Sequence, residues 1–271
     1  EDDSFEDDDN DSDFFGKGDD DFADDVDAMW DVCKENVRLW NTQIGVFAEA
    51  EQLRDSDSDE LTTTVSLSSL KEHLERMGVK YVFIRRIING LYNVGLISAQ
   101  EDEYTFSITY KNEQVKKCLT KAGQVLEMKI YVSALRSCEK DGSYTYNDVM
   151  NGVYIDWDGD IHTEQEGHDT ENEIDVMMMH GMVPVFVSCK NGYIDMDELY
   201  KLNTVASRFG GKYAKKVLVA TALDEKSDFA KQLRERAKDM QIRVVPSSDN
   251  EKVQDMDDAE LQRVIKSFWS N

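Results

Sequence analysis

A carboxylate and a lysine frame two short apolar runs in the stretch NEIDVMMMHGMVPVFVSCKNG, residues 172–192. Asp175 opens the first run, Val176-Met177-Met178-Met179, and His180-Gly181 then offers a turn. Residues 183–189 form a second run, rich in β-branched and aromatic side chains. Lys190 follows at once, with Asn191-Gly192 as a turn signal. The pattern predicts a β-hairpin that brings Asp175 and Lys190 together at one end. That pairing suits phosphodiester chemistry, because a carboxylate holds a hard divalent cation and an ammonium offsets charge developing on a phosphate. Glu173 shares the face of Asp175 by strand alternation, which makes it a credible second carboxylate.

The elements that must position this hairpin lie on both sides of it. Upstream, residues 113–136 read as one long helix, with Val115, Cys118, Leu119, Val125, Leu126 and Ile130 apolar. Gly123 is costly inside such a helix unless something needs close approach. Residues 143–161 alternate and supply the first strand of the sheet. Downstream, residues 195–209 read as a helix capped by Asp195, with Asp197 and Glu198 in its first turn. Arg208 and Lys212 flank Gly210-Gly211, whose backbone could approach a phosphate closely; a plain helix C-cap is the competing account. Strand 216–220, a basic-faced helix over 227–240, strand 242–245 and an amphipathic helix over 257–269 complete an α/β unit with a mixed sheet flanked by helices.

The chain before residue 112 is organised differently. Residues 1–21 are dominated by Asp and Glu, and their composition predicts disorder. Residues 22–60 give one or two amphipathic helices and a polar linker, with Trp30 and Trp40 expected in a core. Residues 61–111 have the rhythm of a winged helix, with helices over 66–77 and 80–94 and a two-stranded wing around Glu101-Asp102-Glu103. Arg85 and Arg86 are its candidate nucleic-acid contacts; a spacer that positions the following domain or dimerises is the other reading, favoured by the acidic wing tip.

Net charge is −25 over 271 residues, concentrated at the start, so a broadly basic nucleic-acid-coating surface is excluded. Four scattered cysteines without C-x-x-C spacing point to a reducing compartment and away from disulfides or a cysteine zinc site. No apolar run approaches membrane-spanning length and no signal-peptide pattern is present, so a cytoplasmic location is expected. Asp156, Asp158 and Asp160 lack the glycine and glutamate of a calcium loop. His162, Glu164, Glu166 and His168 lack the spacing of a zinc site.

Asp175, thirteen positions before Ser188-Cys189-Lys190, resembles the D…(D/E)-x-K signature of the PD-(D/E)xK restriction-endonuclease-like superfamily. Together with Asn172-Glu173-Ile174-Asp175, Lys190-Asn191-Gly192 and Arg208-Phe209-Gly210-Gly211-Lys212-Tyr213, it resembles the CRISPR ancillary nucleases of the Card/Can type. Gly123-Gln124-Val125-Leu126-Glu127 is similar to the G-x-W-L-E element that opens their nuclease domain, with Val125 in place of the tryptophan. The resemblance runs over residues 112–271. It implies a restriction-endonuclease-like fold preceded by a winged-helix-like domain, and a metal-dependent endonuclease. Mg²⁺ or Mn²⁺ would be held by Asp175, Glu127, Glu173 and the backbone carbonyl of Cys189, with Lys190 and the Ser188 position in the catalytic motif.

Such an enzyme would cut single-stranded RNA or DNA, or nick duplex DNA, in type III CRISPR defence. Relatives respond to cyclic tetra-adenylate through a CARF (CRISPR-associated Rossmann-fold) sensor, for which no Rossmann pattern precedes the winged helix, and a homodimer is expected. Ser188 departs from the signature, since serine is a poor metal ligand; either Glu173 or Glu127 supplies the missing charge, or activity is weak. Two alternatives stay open. Lys190 and Asp175 can form a purely structural pair, and the chain can be a non-catalytic winged-helix protein that binds nucleic acid or dimerises.

Overall fold

Two consecutive helices open the computed structural model, which describes residues 20–52, 60–76, 78–157, 171–223, 227–247 and 252–270. They are α1 (Asp20–Glu35) and α2 (Val37–Gln52), and α1 begins two residues before the start expected from the sequence. Residues 1–19 of the expected acidic tail (1–21) and residues 53–59, which hold most of the expected linker (54–60), lie outside the described residues, as do the carboxylates and histidines of 158–170. Phe22, Val26, Met29, Trp30 and Cys33 form one buried stripe on α1, and Trp40 of α2 is buried with them.

A three-stranded antiparallel sheet follows, built by β1 (Thr62–Ser66), β2 (Ile97–Glu101) and β3 (Thr105–Tyr110) in the order β1-β3-β2. The helices α3 (Leu67–Arg76) and α4 (Tyr81–Asn93) lie between its first two strands. β1 gives no apolar alternation and is joined to β3 through hydroxyl pairs, Thr62 with Thr109 at 2.9 Å and Thr64 with Ser107 at 2.8 Å. Asp102 tightens the β2–β3 turn by accepting from the backbone N–H of Tyr104 and Thr105, both at 2.7 Å.

The stretch expected as one helix is two. α5 (Glu113–Thr120) is capped by Asn112, whose side chain accepts from Val115 N at 2.8 Å. The chain then breaks and restarts as α6 (Gln124–Leu135). Gly123 sets the break with φ +87°, a left-handed conformation outside the helical region that costs a non-glycine residue about 1–2 kcal/mol. A Cβ there would lie 3.2 Å from Glu127 Oε1. The break therefore places Glu127 in the first turn of a new helix.

The second sheet is mixed and five-stranded: β4 (Asp148–Asp156), β5 (Glu171–His180), β6 (Val183–Lys190), β7 (Lys215–Ala220) and β8 (Ile242–Val245), in that order. β4, β5 and β6 are antiparallel neighbours, and β6, β7 and β8 run parallel. The parallel crossovers are α7 (Asp197–Phe209) and α8 (Asp228–Asp239), which cover one face with Phe186, Leu218 and Val244. α7 starts at Asp197, and Asp195 accepts from Asp197 N at 3.2 Å instead of forming the expected cap. α1, α6 and the last helix α9 (Asp258–Lys266) pack in the layer that includes Val176, Val187 and Val217. One apolar cluster runs from α1 and the small sheet through α6 into that layer.

Every residue from 124 to 134 of α6 is buried. Lys129 is only 3% exposed and reaches Asp27 of α1 at 2.7 Å and Asp258 of α9 at 2.6 Å. Arg136 adds bonds to Asp27 at 2.6 Å and Asp24 at 3.2 Å. Among the described residues no helix is long and apolar enough to cross a membrane. Gly123→Ala should lower the unfolding free energy measured in urea by about 1–2 kcal/mol. An unchanged midpoint would mean that the α5–α6 break does not depend on the glycine.

Candidate active site

The central hairpin loses its regularity at Asp175. Between β5 and β6 the ladder runs from His180↔Val183 to Val176↔Val187 and stops there. Between β4 and β5 it pairs Asn151 with Val176 and Val153 with Ile174, passing over Gly152 and Asp175. Gly152 sits at φ +58°, in the left-handed region. Ile174 packs in the α7–α8 layer, whereas Val176 and Met178 pack in the α6 layer. Strict two-residue alternation would keep all three on one face, so the strand changes face across Asp175.

Side-chain bonds replace the missing ladder. Asp175 Oδ2 accepts from Cys189 N at 2.6 Å and from Ser188 Oγ at 3.3 Å. Ser188 thus steadies the aspartate. Glu127, 7% exposed, approaches the same point from α6. Burial pushes its carboxyl from the ordinary 4.5 up to about 8, with the charge of Asp175 adding to the effect and Lys121 opposing it. Burial raises Asp175 as well, against the lowering influence of Cys189 N–H and Lys190.

Lys190 closes the group. Burial works against its charge, but Asp175 and Glu198 outweigh burial and hold its pKa above the ordinary lysine value. It is therefore a fixed cation and not a base. Its Nζ lies 3.0 Å from Glu198 Oε2 in the first turn of α7. Glu198 reads in the sequence as an acid suited to a helix N-terminus; its long-range partner has no local signal.

Glu173, the second expected carboxylate, is engaged by Lys121 at 2.8 Å. Lys121 itself lies in the α5–α6 break and was not singled out by the sequence pattern. Beside this pair a cleft of ≈170 Å³ opens, lined by Lys117, Lys121, Gln124, Asn151, Tyr154 and Glu173 among others. The loop after Lys190 is pinned by Thr221 and Asn41. Buried Asn191 accepts from Thr221 Oγ1 at 2.8 Å, Gly192 N donates to Thr221 Oγ1 at 3.1 Å, and Asn41 Nδ2 donates to the Asn191 carbonyl.

The fold has counterparts among solved structures. Protein VC1899 from Vibrio cholerae matches with a TM-score of 0.57 and 17% identity, covering 91% of this chain and 56% of that one. Can2 from Sulfobacillus thermosulfidooxidans, solved in complex with cyclic tetra-adenylate, gives a TM-score of 0.49 and 17% identity, over 89% of this chain and 55% of that one. This chain spans little more than half the length of either. At such identity the likeness to VC1899 is one of fold. No family model and no curated protein matches the sequence.

The remaining candidates sit on other elements. Arg208 is in the last turn of α7, ten residues and about 15 Å along the helix from Glu198. Its guanidinium lies 6.0 Å from the Trp157 ring, and Lys212 lies 4.8 Å from the Tyr213 ring. Gly210 is explained by packing, since a Cβ there would fall 2.5 Å from both Ala214 Cβ and Phe186 Cε2. Arg85 and Arg86 are exposed on α4, and Arg85 Nε is 3.7 Å from Glu101.

Glu127 and Asp175 offer oxygen, the donor type of Mg²⁺ and Mn²⁺. The Cys189 thiol is fully buried and held well above its ordinary pKa, which removes it as a thiolate ligand. Among the described residues no three His, Cys, Asp or Glu side chains are grouped to hold a metal. A cation here would rest on two carboxylates supplemented by peptide carbonyl or water oxygen. Two buried carboxyls that resist joint ionisation fit that role, because a cation relieves both. In the metal-free protein Glu127 binds its proton more tightly folded than unfolded between pH 4.5 and about 8, so stability falls as pH rises through that window. Glu127→Gln should raise stability at pH 8 by on the order of 2 kcal/mol, with the gain shrinking towards pH 5. Parallel pH profiles for the two proteins in thermal melts would show that Glu127 ionises normally.

Proposed function

We propose that this chain is a metal-dependent endonuclease that hydrolyses phosphodiester bonds at the Glu127–Asp175–Lys190 site. The observation that carries the reading is the convergence of two buried, mutually repelling carboxylates with a permanently cationic lysine, at the point where the central strand changes face. Glu127 and Asp175 would hold Mg²⁺ or Mn²⁺, with the Cys189 carbonyl or water as further oxygen donors, while Glu173 stays paired with Lys121 beside them. Bound there, a divalent cation would supply Lewis acidity towards phosphate oxygen and a lowered pKa for water. Ser188 Oγ and Cys189 N fix one oxygen of Asp175 and leave Oδ1 for a ligand. Lys190, steadied by Glu198, sets positive charge beside the phosphate, where it counts most as negative charge builds.

The sequence motifs relate this site to ancillary nucleases of type III CRISPR defence, and that setting is part of the proposal. In this setting a sensor of cyclic tetra-adenylate would govern cutting from outside the elements described here, and two copies would act as a homodimer. Lys190→Ala and Asp175→Ala should each reduce cutting of single-stranded RNA, single-stranded DNA or supercoiled plasmid by on the order of a hundredfold in Mg²⁺ or Mn²⁺. The fold should stay intact. Full activity in either variant would remove the assigned mechanism.

A second reading has one observation in its favour. The strand order β1-β3-β2, with α3 and α4 between β1 and β2 in the chain, is compatible with a winged helix, in which α4 would be presented to nucleic acid. Against it, Glu101 faces Arg85, and Asp102 and Glu103 place negative charge at the hairpin tip. The module is therefore proposed as a winged-helix-like spacer. Arg85→Glu with Arg86→Glu should leave oligonucleotide affinity in a filter-binding assay within about twofold. A collapse of binding would promote the non-catalytic binding-module reading.

A further inference from the structure

A second cleft, of ≈860 Å³, lies at the other end of the parallel strands. Lys190 is level with Ala220 at the end of β7, whereas Lys215 at its start is level with Val185. The two ends of β7 are roughly 16 Å apart. Five cations line this cleft: Lys215 and Lys216 of β7, Arg234 and Lys238 of α8, and Arg243 of β8. Among the described residues, no Asp or Glu lines it. In a chain with a net charge of −25, that segregation runs against composition.

Neutral groups hold two of the cations in place. Lys216 Nζ donates to Asn203 Oδ1 at 2.8 Å and to the Met240 carbonyl at 2.5 Å. Arg243 Nη1 donates to the Ser267 carbonyl at 3.0 Å and to Ser267 Oγ at 2.8 Å, and its guanidinium lies over the Phe268 ring at 5.3 Å. Such partners orient a cation without cancelling its charge. Burial accordingly lowers the pKa of both Lys216 and Arg243. Arg234 and Lys238 stand one turn apart on the same face of α8.

We propose that this cleft docks the phosphodiester backbone of a nucleic-acid strand, at the end of the sheet opposite the Asp175–Lys190 site. A pocket for a small ligand is mostly apolar and nearly closed. This one is a cation-lined groove, as a site that follows a run of phosphates must be. The docking needs neither metal nor cleavage, so it stands or falls separately from the nuclease reading.

The test is fluorescence anisotropy with a labelled oligothymidylate and the full chain in EDTA. Lys215→Glu with Lys238→Glu should weaken binding roughly tenfold and flatten the log–log salt dependence by about 1.4. The milder Lys215→Gln with Lys238→Gln, confirmed as folded by its melting temperature, should flatten the slope in the same direction. Lys71→Glu with Lys80→Glu makes the same charge change on and before the helices of the small sheet, and should leave binding at the wild-type level. Unchanged binding in the cleft variants, or an equal loss in the control, would overturn the proposal. So would displacement of the oligonucleotide by ATP or pyrophosphate at its own Kd, which would mark a small-polyphosphate site.

Discussion

Helix α6 is buried on every side, and what it touches decides where everything else can go. A helix with no solvent face cannot place Lys129 in water, so other elements must bring carboxylates to it. Asp27 of α1 and Asp258 of α9 do so, and exposed Arg136, just past the helix end, shares Asp27 and adds Asp24. Removing one partner of a buried ion pair costs far more than the pair contributes, because it leaves a charge stranded. α1 and α9 are therefore committed to their positions by charge as well as by apolar burial. The same rigid seat fixes the first turn of α6, which is what allows Glu127 to stay buried beside Asp175 despite the energetic resistance of two carboxyls to sharing a site.

The candidate site is assembled where regular structure gives way. A continuous β5–β6 ladder would bond the backbone around Asp175 and leave no room for its side chain to turn inward. With Gly152 in a left-handed conformation and the β5–β6 ladder ending at Val176, the strand changes face, and the Asp175 carboxylate takes over the Cys189 N–H. Gly123 performs the equivalent task on the helical side. Both glycines occupy backbone conformations that other residues adopt only at a cost, and both lie next to carboxylates of the site.

How much of this was legible in the sequence depends on the range of each interaction. The Asp175–Lys190 hairpin was, because short continuous apolar runs and a His180-Gly181 turn are local signals. The helices α7, α8 and α9 were readable for the same reason, to within three residues at each end. The α5–α6 break was not, since the apolar positions from Val115 to Ile130 stay in helical phase across it and only Gly123 hints at a stop. β1 escaped because its threonines pair through hydroxyls contributed by β3. Lys121 and Glu198 have partners 52 and 8 residues away, and neither residue carries a motif of its own. The cations of the β7–β8 cleft come from three elements, so no window of sequence contains the patch.

The pairing of α1 with α6 also has a temporal side. Lys129 and Asp27 are 102 residues apart. At about 5–20 residues per second, a ribosome needs roughly 5–20 s to make the partner that α1 requires. Through that interval the stripe of Phe22, Val26, Met29 and Trp30 has no α6 to cover it. Asp24, Asp25, Asp27 and Asp31 share the helix with that stripe and keep the nascent segment charged and mutually repelling. Three of those acids later become the partners of Lys111, Lys129 and Arg136. One set of carboxylates thus serves first as a solubilising coat during synthesis and afterwards as the fastening of the finished core.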